Sequence, residues 1–128
     1  MDVYLAGPWV HRRSAVDAAA LIIAAGHTIT WPWWEHEGKG WAASPKDLAF
    51  QARKDVTAIR EADVVILLNS AKSEGKAVEQ GLAIAWEKPI IAVGQLGDKI
   101  TLNVFHYLAL YHWVPTIEDA IAHLKELS

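Results

Sequence analysis

Ser73, Gly75 and Glu79 stand in a Ser-x-Gly-x3-Glu spacing directly after the apolar run Val64 to Leu68. A continuous apolar run suits a strand covered on both faces. Asn69 to Gly75 supplies turn residues, and Ala77 to Trp86 is good helix-forming sequence. A strand-to-helix turn of this kind opens a ligand site at the carboxyl end of a parallel sheet, beside a helix N-terminus. Glu79 is then about one turn into the helix, on a segment apolar on most sides, and can look back toward the mouth. Burial raises a carboxyl's pKa and a helix N-terminus lowers it, so its charge state stays open at this level.

Asp55, on the preceding helical segment, is the second carboxylate of interest. Two carboxylates flanking a sugar can divide glycosidic cleavage: one attacks the anomeric carbon while the other protonates the leaving group. The ordinary role of Asp55, as of Asp47 and Asp63, is a surface charge paired with a basic neighbour such as Arg53 or Lys54, worth little. Ser73 has two readings. It caps a helix, or with Gly75 and the backbone N–H groups it holds a phosphate. The chain has no Gly-Lys-Ser/Thr and no Gly-x-Gly-x-x-Gly, so neither an ATPase nor a dinucleotide site is supported. Its six histidines show no metal-ligand spacing, and no metal or other cofactor is expected. Four of the seven tryptophans, Trp31, Trp33, Trp34 and Trp41, fall within eleven positions. They are core or edge residues by default, and over a cleft they could stack on a flat nucleobase.

The elements that must position these residues follow from patterning. Val3 to Ala6 reads as a first strand, ended by Gly7-Pro8. Arg13 to Ala25 reads as a helix with Val16, Ala19, Ala20, Ile23 and Ala24 on one face, stopped near Gly26. Thr28 to Trp31 is a second strand, and Pro32 to Ala43 a long loop. Ser44-Pro45 starts a helix to about Ala62, with Leu48, Ala52, Val56 and Ile59 on its apolar face. Pro89 to Val93 is a fourth strand, Gly97-Asp98 a turn, Thr101 to Leu110 a short helix and Tyr111 to Val114 a fifth strand. Thr116 to Asp119 is a capping box opening a last helix to about Leu127.

Strands alternating with helices imply a parallel sheet covered on both faces. The expected fold is α/β: a single-domain, flavodoxin-like (Rossmann-like) three-layer sandwich over residues 1–128, with five parallel strands in order 2-1-3-4-5. That order sets Gly7, Pro8 and Trp9 across one cleft from Asn69 to Gly75.

A chain of 128 residues with 52% hydrophobic content can bury a packed core as one domain. It has no apolar run long enough to span a bilayer, no secretory N-terminal pattern and no cysteine, which fits a cytoplasmic protein. A net charge of -3 without a basic stripe argues against a nucleic-acid polymer as partner.

Taken in order, these pieces resemble the nucleoside 2-deoxyribosyltransferase superfamily, which includes 2′-deoxynucleoside 5′-monophosphate N-hydrolases. Val3 to Pro8 resembles its opening strand and turn. Asp55-x7-Asp63-Val64-Val65 resembles the helix and strand bearing its active-site aspartate. Ser73-x-Gly75-x3-Glu79-x-Gly-x-Ala83 resembles its nucleophile helix, and Lys88 to Ile91 its fourth strand. The resemblance implies Glu79 as the nucleophile that forms a covalent 2-deoxyribosyl intermediate, Tyr4 orienting it, and Asp55 binding or protonating the leaving base. It implies Asn103 reaching into a neighbouring subunit's site, hence a homo-oligomer, in a cytoplasmic enzyme of nucleotide salvage. Ser73 matches the monophosphate branch. Pro8-Trp9-Val10 departs from it, because that branch carries a serine and an arginine there; His11, Arg12 or Arg13 are the available substitutes. The acceptor is then water or a second base. The rival is a non-catalytic nucleotide-binding or sensing module of the same fold.

Overall fold

The computed structural model describes residues 1–36, 44–95 and 103–128. Five strands, β1 (Asp2–Ala6), β2 (Thr28–Ile29), β3 (Val64–Leu68), β4 (Ile90–Val93) and β5 (Tyr111–Val114), form one parallel sheet in the order β2-β1-β3-β4-β5. Four helices cover it: α1 (Arg12–Ala24), α2 (Pro45–Glu61), α3 (Glu74–Ala85) and α4 (Ile117–Leu127). This is the flavodoxin-like arrangement that the alternation of elements predicts. Short 3-10 turns occupy Trp9–His11, Trp33–His36 and Val104–Tyr107. Among the described residues, no helix is long and apolar enough to cross a membrane.

Successive strand residues face opposite sides of the sheet. In β1, Val3 and Leu5 enter one core with Ala15, Ile22 and Leu124. Tyr4 and Ala6 enter the other, with Ile59 and Ala83. Tyr4 is therefore delivered to the α2 and α3 side, where Asp55 and Glu79 originate. The register Tyr4 to Val65 fixes its height beside the central strand.

The helix caps are those expected. Ser44 accepts from the Asp47 N–H at 3.1 Å and Thr116 from the Asp119 N–H at 3.2 Å. Ser73 accepts from the Lys76 N–H at 3.2 Å, so α3 starts before Ala77 and the polar turn is shorter than expected. Three details of the sequence reading are corrected. First, α1 turns its alanine stripe, Ala15, Ala18 and Ala19 with Ile22, to the sheet, leaving Val16 47% and Ile23 57% exposed. Small side chains let the helix sit close, and this stripe wins over the bulkier one beside it. Second, in α2 only Ala58 and Ile59 are fully buried, and Leu48 remains 49% exposed. Third, β2 ends at Ile29. Thr30 still donates its N–H to Val3 O at 2.9 Å, but Pro32 has no N–H with which to extend the ladder. The helix expected over Thr101 to Leu110 is a 3-10 turn at Val104–Tyr107 in its described part. The Gly97-Asp98 turn and most of the loop after His36 lie outside the described residues.

Candidate active site

Tyr4 is 0% exposed, and its hydroxyl donates to Glu79 Oε2 across a sequence separation of 75. β1 and α3 thus meet at one phenol–carboxyl contact, which orients the carboxyl at the C-terminal edge of the sheet. Asp55 comes from α2, the neighbour of α3. It lines the same cleft as Glu79, a space of about 160 Å³. Gly7 and Trp9 from the turn after β1, and Ser73 and Gly75 from the start of α3, complete two of its walls. Trp33 closes another. Its indole N–H donates to Leu5 O at 2.7 Å, and its ring lies 6.1 Å from that of Trp9. The cleft therefore has two carboxyls at one end and indole faces at its side.

Burial controls the charges here. It raises Glu79 to about 8; the Tyr4 hydrogen bond and the Lys76 charge oppose the rise, while the Asp55 charge adds to it. Burial likewise raises Asp55 to about 6, against a lowering effect of the Tyr4 hydroxyl. Glu79 as a whole keeps intermediate exposure, but its carboxyl end sits against a fully buried phenol. Tyr4 is pushed well above the usual phenol range by burial and by both carboxyls, so it stays a donor. Asp55 Oδ1 is buried and has no hydrogen-bond partner among the described residues. An acceptor left open inside a cleft is a place for a ligand's donor.

Of the residues singled out from sequence, Glu79, Asp55, Ser73, Gly75, Gly7 and Trp9 line this cleft, with Tyr4 beneath it. Pro8 is buried beside the cleft and does not line it. Asn103 lies elsewhere. Its side chain accepts from the Phe105 N–H at 3.0 Å, and it lines a separate cavity of about 520 Å³ on the other flank of the α3 N-terminus. His11 bridges the two turns at the mouth, Nδ1 to Ser70 Oγ at 2.7 Å. Two cleft residues, Lys76 and Gln51, escaped the sequence reading, while Trp33 stood in it as one of the tryptophans able to stack over a cleft. Both of the missed residues carried a signal. Lys76 precedes Glu79 by three residues and Gln51 precedes Asp55 by four, the spacings that share a helix face. Among the described residues, no group of three or more His, Asp or Glu could hold a metal ion.

The family model for nucleoside 2-deoxyribosyltransferase matches residues 3–110. No curated protein is significantly similar to the chain. Several solved structures are similar in fold. A 2-deoxyribosyltransferase from Bacillus psychrosaccharolyticus superposes with a TM-score of 0.73 at 20% identity, over 94% of this chain and 90% of that one. A CMP N-glycosidase from Clostridium botulinum gives a TM-score of 0.64 at 19% identity, over 100% of both chains. A conserved protein from Enterococcus faecalis V583 gives 0.67 at 17% identity, over 100% of this chain and 99% of that one. With the family match covering most of its length, the chain belongs to the nucleoside 2-deoxyribosyltransferase family.

Proposed function

We propose that the protein cleaves the N-glycosidic bond of a 2′-deoxyribonucleoside or its 5′-monophosphate through a covalent 2-deoxyribosyl–Glu79 intermediate. The observation that carries this reading is the convergence of Tyr4, Asp55 and Glu79, from three separate elements, on one cleft with tryptophan walls. A module that only binds has no use for two buried carboxyls whose charges burial disfavours.

In the first step, a Glu79 oxygen attacks C1′ and the C1′–N bond breaks. The bond's electron pair goes to the base nitrogen, which takes its proton from the Asp55 carboxyl. In the second step, water or another base attacks C1′, frees the Glu79 carboxylate and returns a proton to Asp55. The first step needs Glu79 as the carboxylate and Asp55 as the carboxylic acid; in the second, Glu79 is the ester and Asp55 the carboxylate that takes up the proton. With Asp55 near 6 and Glu79 near 8, the pair holds one proton between those pH values. In the empty cleft that proton favours Glu79. Moving it to Asp55 is therefore uphill until a ligand changes the balance.

Monophosphates are the favoured substrates in this reading, because Ser73 lines the cleft at the α3 N-terminus. Its oxygen already accepts the Lys76 N–H, which leaves its own proton to donate to a phosphate. The two enzymes of similar fold named above stand on either side of this choice, one a 2-deoxyribosyltransferase and the other a CMP N-glycosidase. The reading includes a cytoplasmic homo-oligomer in which Asn103 serves the neighbouring subunit's cleft. The test is incubation with a panel of deoxynucleosides and deoxynucleotides, with and without a free base, followed by trapping with a 2-fluoro sugar analogue. A mass increase of one sugar unit on Glu79 supports the mechanism. Release of base without any adduct at Glu79 overturns it.

A further inference from the structure

Lys76 is 4% exposed, which is rare for a lysine. Its Nζ donates to Asn69 Oδ1 at 2.8 Å and to Ala71 O. Both partners are neutral, so they take two of the ammonium's three hydrogens and leave its charge uncompensated. No Lys76 ion pair occurs among the described residues. An isolated buried cation is costly unless an anion faces it. The cleft supplies one. Lys76 and Glu79 lie three residues apart on α3 and line the same small space.

We propose that Lys76 is a positioning residue for the reaction: fixed by Asn69 and Ala71, its ammonium holds Glu79 as the carboxylate that attacks the sugar. Asp55 from α2 is the other carboxyl of the cleft, and Glu79 is the one that shares the α3 face with Lys76. Among the described residues, the groups facing Glu79 are Tyr4 from β1, Asp55 from α2 and Lys76 from α3, and the other described cleft residues are uncharged. Lys76 is the one cation among these described residues, and it opposes Asp55. On the far flank of α3, Lys72, Glu74 and His106 share the second cavity with Lys76. His106 is itself driven toward its neutral form by burial and by the Lys76 charge, and adds no competing positive charge. Lys76 thereby reduces the cost of carrying the shared proton to Asp55. No sugar or base contact is assigned to it.

The experiment compares the native protein, Lys76→Met, and Lys76→Cys alkylated with 2-bromoethylamine. The chain contains no cysteine, so alkylation of that variant is selective and restores an ammonium at nearly the original length. Two readouts are taken. The Glu79 carboxyl is titrated by ¹³C NMR, assigned by its absence from Glu79→Gln spectra. The pH profile of kcat/KM is measured alongside. An opposite charge within about 4–6 Å shifts a carboxyl by roughly 1–3 pH units. In Lys76→Met the Glu79 midpoint therefore rises by at least about one unit, the alkaline limb of kcat/KM moves with it, and the value near neutrality falls at least about tenfold. The alkylated variant restores both. A purely structural lysine would lower activity without moving either midpoint. A Glu79 midpoint unchanged in folded Lys76→Met, or not restored by alkylation, overturns the proposal. The kinetic half rests on Glu79 being the nucleophile, whereas the titration does not. A midpoint that moves with Lys76 while the rate profile stays fixed upholds the electrostatic role and rejects Glu79 as nucleophile.

Discussion

Glu79→Gln is expected to inactivate the protein and stabilise it. The substitution keeps the shape of the side chain and an oxygen for the Tyr4 hydroxyl, but it removes an ionisation that the fold opposes. Glu79 is raised from an ordinary 4.5 to about 8, with burial the largest cause. A carboxyl whose folded-state pKa lies above its unfolded value binds its proton more tightly in the native state. Native stability is then full below about 4.5 and is lost as pH rises through about 8. Integrating over that window, the native carboxyl costs on the order of 3 kcal/mol at pH 7 and about 1 kcal/mol at pH 5. Gln has no such cost. Glu79→Gln should thus be more stable at pH 7 by on the order of 3 kcal/mol, or roughly 10 °C in Tm for a domain of this size, with a smaller gain at pH 5. Asp55, raised to about 6, leaves a residual slope in the variant at lower pH. The assay is urea unfolding of both proteins from pH 5 to 9, with turnover measured alongside. A variant of equal stability at every pH would show that the carboxyl is not held against its ionisation. A variant with native turnover would remove the nucleophile.

Three further outcomes are expected. Tyr4→Phe removes the hydrogen bond that favours ionised Glu79, so kcat/KM should fall roughly ten- to a hundredfold with the fold retained; an unchanged rate would mean that the phenol only fills space. Ser73→Ala should lower kcat/KM for a monophosphate ten- to a hundredfold, as expected for the loss of a charge-assisted bond of ~1.5–3 kcal/mol, and spare the nucleoside; equal effects on both substrates would confine Ser73 to its cap, worth ~1 kcal/mol of stability. Mixing inactive Glu79→Gln with Asn103→Ala should restore activity in hybrid oligomers if Asn103 serves the neighbouring cleft. No recovery, or a fully active monomer by light scattering, would end that idea.

The fold was legible in the sequence because two strong signals agreed. The apolar run at Val64 to Leu68 announces a doubly covered strand, and the caps Ser44, Ser73 and Thr116 mark where helices begin. The α1 face was misread because two apolar stripes run side by side, and only the packing distance to the sheet chooses between them. Glu79 was legible from its place one turn into the helix that follows the apolar strand and Asp55 from the helix before that strand, and the family pattern added their roles. Lys76 was overlooked because a lysine in a helix is ordinarily solvated. Its burial follows from Asn69 and Ala71 folding back over it, a tertiary arrangement that no periodicity encodes. Trp33 was seen only as one of several tryptophans, since its bond to Leu5 O depends on β2 stopping at Ile29.

β1 is made before the other four strands of its sheet, yet it lies between β2 and β3. Its ladder to β3 cannot close until Leu68 has been translated, and the Tyr4 contact waits for Glu79. While the chain is still emerging from the ribosome, β1 is an apolar strand with one open edge. The cluster of Tyr4, Asp55 and Glu79 is therefore a late product of folding, and no fragment ending before α3 can hold it. Translation that stalls in the α2 segment would release a chain whose β1 keeps one edge open, a target for chaperones and proteases.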